Sequence, residues 1–401
     1  MRSHYMHGLS SVYSNPLSSA AVGSNPFASV AANSWKGYSN TAVNPDSAGL
    51  SPNPAISGGS PYSAGDFTHA VPGGNMSAFF RAWCGGTYDS LRKKMWFFGG
   101  GHTDLYTNHW YTWDLDTQIY EHQNWPSVVP ATYTDLDDGY LDAGNTIPSN
   151  RHTANSIVYI SSIDRIYMSG YATGPNGTGN AKHWLFHPTA HTWAEIAASG
   201  DADFGSANCA AYDPTTGLLF IRTALALFSI DPTNLGAGWT NRVSNRWTYG
   251  TDYNSSARSF CVDVAARKIL AFGNNEVHVW DISNLAAVTF DSSGSGWAGA
   301  GLAAYKAINY QSMTYDSNKG QCVGWGGGQT MYIINSGAKT VTTETMSGLD
   351  TPTAMITNGG NLGTLGRYQY IPPYDVFVAM MGVTTGTGAY AWAATYVGKR
   401  A

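Results

Sequence analysis

Short aromatic and apolar runs, each ending in a polar or glycine-rich corner, recur along residues 76–401. Their period is roughly the 40–50 residues that marks a propeller array. The clearest unit is Met95-Trp96-Phe97-Phe98 leading into Gly99-Gly100-Gly101-His102, then Trp110-Tyr111-Thr112-Trp113-Asp114, with Tyr120 beyond. A second runs Arg165-Ile166-Tyr167-Met168-Ser169-Gly170, then Trp184-Leu185-Phe186-His187, with Trp193 beyond. Further copies end in Leu227-Phe228-Ser229-Ile230-Asp231, Val277-His278-Val279-Trp280-Asp281 and Met331-Tyr332-Ile333-Ile334-Asn335, and a sixth contains Ala389-Tyr390-Ala391-Trp392. The corners Asp114, His187, Asp231, Asp281 and Asn335 are 73, 44, 50 and 54 residues apart, which places an insertion after the first unit.

Each unit predicts a four-stranded antiparallel sheet. Small apolar first strands (Ala82–Cys84, Ala207–Ala210, Ser259–Val262) suit crowding round an axis, glycines in the second strand allow close backbone approach, and third-strand aromatics fill the wedge between blades. One blade cannot bury both faces, so the units must close into a ring. The sixth copy has too little chain for a fourth strand, and an open sheet edge is a liability. A strand N-terminal to residue 80 should therefore complete it, with Asn33–Tyr38 the candidate because Trp35 would serve as its aromatic. The expectation is an all-β, six-bladed propeller, or seven-bladed if residues 40–80 hold further strands.

The Gly-Gly after the second strand, the aromatic third strand and the aromatic six residues past its corner resemble the kelch-type β-propeller, the superfamily of the central propeller of galactose oxidase. Gly-Gly is complete at Gly99-Gly100 and Gly326-Gly327 and reduced to Gly170, Gly273 or Gly382 elsewhere. Residues 76–401 form the propeller domain. Residues 1–75, dominated by Ser, Asn, Ala, Gly and Pro, form an N-terminal arm that buries too little apolar surface to fold alone and must lie on its own blades or on a neighbouring subunit.

Charged residues make up 12% of the 401, aromatics 13%, and glycine fills 46 positions, a profile suited to turn-rich β-structure. A net charge of −5 without Lys/Arg runs argues against a nucleic-acid partner. Cys84, Cys209, Cys261 and Cys322 lie in separate blades among apolar neighbours without CxxC spacing, which reads as small buried thiols. No signal-peptide core and no run near the roughly 18 apolar residues of a membrane span occurs. The expectation is a soluble protein without membrane insertion that does not use classical export.

Candidate chemistry gathers where loops between second and third strands meet loops entering the first strands. His102 and Asp104 occupy such a loop in blade 1, Arg151 and His152 precede blade 2, and Arg81, Arg258 and Arg367 stand at comparable positions. Four converging arginines would make a cationic ring for carboxylates or phosphates. Alternatively, each ties adjacent blades through local acids or carbonyls. His102 and His152, oriented by Asp104, could form an acid–base or metal pair, or simply be hydrogen-bonded loop histidines. Asp135, Asp137, Asp138 and Asp142 surround Gly139 in the insertion and are the best calcium candidate, although the spacing departs from an EF-hand and also suits a solvated acidic loop. No other cofactor is expected.

The galactose-oxidase set of two histidines, two tyrosines and a cross-linked cysteine does not map onto this chain, and sialidase boxes are missing. A glycosidase needs facing carboxylates, and the four glutamates, Glu121, Glu195, Glu276 and Glu344, supply no pair. The expectation is a non-catalytic binding or structural propeller. Low charge, Tyr/Trp/Asn/Gly richness and the Ser/Asn-rich arm resemble phage-type virion proteins, implying a virion or extracellular location, assembly partners met through the arm, and host glycans. The alternative is a cellular, cytoplasmic kelch-like module binding carbohydrate or protein.

Overall fold

A computed structural model of the protein describes residues 24–38, 43–44, 84–99, 110–123, 140–142, 145–148, 151–170, 182–196, 209–223, 226–244, 258–308, 310–348, 364–384 and 390–401. They build six four-stranded antiparallel blades whose inner strands neighbour one another in a closed ring. The inner strands are Gly85–Asp89, Ile157–Ile160, Cys209–Asp213, Ser259–Asp263, Ser312–Asp316 and Tyr368–Ile371. Val43–Asn44 adds a parallel edge strand to blade 1, so residues 40–80 contribute no further blade among the described residues.

The ring closes as the sequence predicts. Ser34–Tyr38 pairs antiparallel with Tyr390–Lys399 in the register Ser34↔Lys399 to Tyr38↔Thr395 and becomes the outer strand of blade 6. Trp35 is buried beside Trp325 at 5.0 Å between ring centroids, and Gly398 leaves room for its indole, since a Cβ there would sit 2.7 Å from it. The described part of the arm thus lies on its own propeller: Phe27 and Val30 pack between blades 6 and 1.

Six apolar clusters fill the six wedges between neighbouring blades. Between blades 1 and 2, for example, Trp96, Phe98, Trp110, Trp184 and Phe186 interlock, with Trp110 stacked on Phe186 at 5.1 Å. Each such ring buries about 150–250 Å², so the third-strand aromatics supply much of the cohesion between blades.

Two inner strands start later than the sequence suggests. Ala82–Cys84 precedes the blade 1 strand, which is Gly85–Asp89, and the blade 3 strand begins at Cys209. The reason at blade 1 is steric: a Cβ on Gly85 would lie 2.1 Å from the Ala154 carbonyl oxygen, so this strand gives up apolar side chains to admit another segment of backbone.

The two ends of the ring are built differently. Every hairpin joining first to second strand has a four-residue loop. Its fourth residue is left-handed in all six blades: Lys93, Asp164, Gly217, Arg267, Gly320 and Asp375. Four of these hairpins begin at a buried strand-end aspartate whose Oδ1 accepts loop amides: Asp89, Asp213, Asp263 and Asp316. In blades 2 and 6 an isoleucine replaces that aspartate. There the left-handed residue is itself the acid, and Asp164 and Asp375 accept from Tyr159 and Tyr370 at 3.0 and 2.6 Å. At the opposite end, the connections from one blade to the next span residues 123–156, 197–208, 245–258, 292–311 and 346–367.

Candidate functional site

Residues 151–156 precede the blade 2 inner strand, and their polar sequence, Arg-His-Thr-Ala-Asn-Ser, looks like a surface loop. All six are buried. Thr153 Oγ1 donates to the Phe98 carbonyl at 2.5 Å and accepts from Gly85 N–H at 2.8 Å, which ties the segment to blade 1. The Asn155 carbonyl accepts from Ala210 N–H of blade 3, and its Nδ2 donates to the Arg258 carbonyl of blade 4 at 2.6 Å. A Cβ on Gly366, at blade 6, would lie 3.4 Å from the Ala154 carbonyl oxygen. One segment touching blades 1, 3, 4 and 6 must cross the axis, so it plugs the ring at the long-loop end.

The plug explains the glycines that close second strands. Gly99 and Gly170 have φ of 146° and 154°; a Cβ would lie 2.8 Å from Thr153 Oγ1 at the first and 2.4 Å from the His152 carbonyl oxygen at the second.

Each described arginine candidate has its own setting. Arg258, immediately before the blade 4 inner strand, donates from Nη2 to Glu276 Oε2 at 2.6 Å, with Nη1 3.2 Å from His278 Nε2. His278 Nε2 is in turn 3.0 Å from Glu276 Oε2. Arg222, at the end of the blade 3 second strand, joins this group: its guanidinium lies 5.9 Å from the Trp280 ring centroid and it acts electrostatically on Arg258. Burial lowers its pKa to about 9. Burial, then the two arginine charges, lowers the His278 pKa to about 2 and holds the imidazole neutral.

Arg151 Nη1 donates to the Lys182 carbonyl at 3.3 Å. The adjacent His183 meets the Tyr167 hydroxyl at 2.5 Å through Nδ1, and burial together with Arg151 lowers its pKa to about 3. Arg367 lies along Gly86 of blade 1, donates from Nε to the Thr364 carbonyl at 3.2 Å and interacts with Cys84, whose thiol burial pushes up to about 12. The three described candidate arginines, Arg151, Arg258 and Arg367, therefore sit in different settings between strands and blades, each buried. His152 is buried in the plug.

His102, Asp104 and Arg81 lie outside the described residues, as do Asp135, Asp137 and Asp138. The backbone of Asp142 pairs with Asn145 in the hairpin of Tyr140–Asp142 with Asn145–Ile147. Among the described residues no group of three or more His, Cys, Asp or Glu could hold a metal ion, and no helix is long and apolar enough to cross a membrane.

Sequence reading missed Arg222, Glu276, His278 and His183 as members of buried polar groups, because Arg222, Glu276 and His183 stand at the loop ends of apolar strands and His278 lies inside one, between Val277 and Val279. The available signal was a charged or imidazole side chain flanking or interrupting an apolar run.

No family model matches the chain, and no curated protein matches it. Among solved structures it is similar to TolB from Acinetobacter baumannii, at 11% identity and a TM-score of 0.40, over 67% of this chain and 55% of that one.

Proposed function

We propose that this chain is a non-catalytic binding and structural propeller of kelch type, a virion-associated component of a phage tail or surface decoration that contacts host glycans through its long-loop end. The observation that carries the reading is the plug. Residues 151–156 fill the axis, and the ionisable side chains described around them bridge strands and blades, which leaves the loops to meet a partner. By sequence those connections contain Trp125, Tyr133, Trp247, Tyr249 and Tyr253, side chains suited to stacking on sugar rings. The Ser/Asn-rich composition and low charge support the virion setting.

The described arm residues, 24–38, lie on the propeller's own blades, which also suits a cellular carbohydrate- or protein-binding module. The test is retention of the purified protein on immobilised host-surface glycans, with Trp247→Ala and Tyr253→Ala, alongside a turnover screen on glycosides and primary alcohols with copper and calcium added. Retention weakened by the substitutions, without product, is expected. Reproducible turnover lost in His102→Ala or His152→Ala would overturn the proposal.

A further inference from the structure

Two of the four cysteines meet in one wedge. Cys261 lies on the inner strand of blade 4, Ser259–Asp263, and Cys322 on the second strand of blade 5, Gln321–Trp325. Cα atoms of these strands come within 8 Å of each other, and the two sulfurs are 3.8 Å apart. The Cys322 thiol donates toward Cys261 Sγ, while the Cys261 thiol points to the Val262 carbonyl at 3.4 Å. The surrounding wedge is apolar, with Leu270, Phe272 and Ile334 among its members. Cys84 and Cys209 belong to other wedges, between blades 6 and 1 and between blades 3 and 4.

We propose that Cys261 and Cys322 are an oxidisable dithiol that clips blade 4 to blade 5 when the protein meets peroxide. This reading is independent of the proposed function. Hydrogen peroxide is small and uncharged, and so suited to reach a packed apolar wedge. One thiolate attacks a peroxide oxygen, which breaks the O–O bond, gives a sulfenic acid and releases hydroxide. The second sulfur then attacks the sulfenic sulfur, the S–S bond forms, and hydroxide leaves to take up the thiol proton as water. The sum is two thiols and one peroxide giving one disulfide and two waters; the cysteines are oxidised and peroxide is reduced. Bond formation brings the sulfurs from 3.8 Å to about 2.05 Å. Burial and the neighbouring Cys261 hold the Cys322 thiol well above its ordinary value, so the first step is slow and accelerates with pH.

The folded full-length protein should be treated with hydrogen peroxide, alkylated, and mapped by trypsin. The expected product links the peptides 259–267 and 320–339 with loss of two hydrogens, is reversed by dithiothreitol, and forms faster at pH 9 than at pH 7. Its melting temperature should rise by several degrees over the reduced protein, because the link closes a 61-residue loop (322 − 261). Cys261→Ser or Cys322→Ser should abolish the link, whereas Cys84→Ser should leave it. If a serine variant does not fold, mapping of the wild type still decides. Sulfinic or sulfonic acids on unlinked cysteines, a link through Cys84 or Cys209, or a link that appears only once circular dichroism shows unfolding would each overturn the proposal.

Discussion

At the short-turn end of the ring, the six first hairpins are near copies, and neighbours are stitched by polar side chains, some partly exposed and others, such as Asp213 and the Arg400–Asp316 pair, buried. Arg92 of blade 1 reaches Asp164 of blade 2, Arg267 of blade 4 reaches Asp213 of blade 3, and the Tyr374 hydroxyl of blade 6 donates to Asp116 of blade 1. At the long-loop end the polar side chains between blades are buried and no two blades solve the problem alike. Arg258 with Glu276 and His278, Arg151 beside His183, and Arg367 beside Cys84 have no common pattern. Repetition at one end and individuality at the other separate what the ring needs from what this chain adds to it.

Substitutions at the two ends should therefore differ in cost. The largest effect is expected for Arg258→Ala, which removes a guanidinium 2% exposed and leaves Glu276 and His278 facing each other. Breaking such a pair should cost about 3 kcal/mol in chemical denaturation. Loss below about 1 kcal/mol would mean that the long-loop end contributes little to stability.

The plug offers a sharper cut. Thr153→Val keeps the shape but leaves the Phe98 carbonyl and the Gly85 amide without their partner, at a cost of about 2 kcal/mol. An unchanged unfolding midpoint would show that the axis does not depend on this hydroxyl.

Acid should separate the ends by pH window. His183 and His278, with folded values of about 3 and 2, are neutral in the ring but protonate at about 6.5 when unfolded. Their contribution is complete above 6.5 and is lost as pH falls below it, by about 2 kcal/mol each at pH 5. At the short-turn end Arg92 and Tyr374 hold Asp164 and Asp116 below the ordinary 3.8, so their contribution is complete above 3.8 and is lost as the pH falls from there through the lower folded values. Denaturation midpoints between pH 7.5 and 5 should fall in the wild type and flatten in His183→Gln and His278→Gln.

The smallest change is expected from Arg267→Ala, whose side chain is 22% exposed. Asp213 keeps its bonds from Thr215 and Thr216, so the loss should be about 1 kcal/mol. A loss equal to that of Arg258→Ala would erase the distinction between the ends.

What could be read in the sequence follows the same division. Aromatic third strands and the closing role of Trp35 were legible because wedge filling and edge pairing need large side chains at spaced positions. The hairpin code was also present, as Tyr-Asp at residues 88–89, 212–213 and 315–316, but it is a turn signal and falls outside the apolar pattern. The inner strand of blade 1 was obscured because Gly85-Gly86-Thr87-Tyr88 carries glycine where the plug passes. The plug itself could not be seen: six polar residues read as a loop, and only contacts with four other blades reveal that they are interior.

The seam of blade 6 has a mechanical consequence. Ser34 pairs with Lys399 and Tyr38 with Thr395, so the two segments leading toward the chain ends leave this sheet side by side. Tension applied to both would load the hydrogen bonds one after another, as a zipper is opened, instead of shearing the whole row at once. A tether through either end alone would spare the seam, whereas one pulling on both would open the propeller at blade 6, with Phe27 and Val30 drawn from their wedge before Trp35 lifts off Trp325.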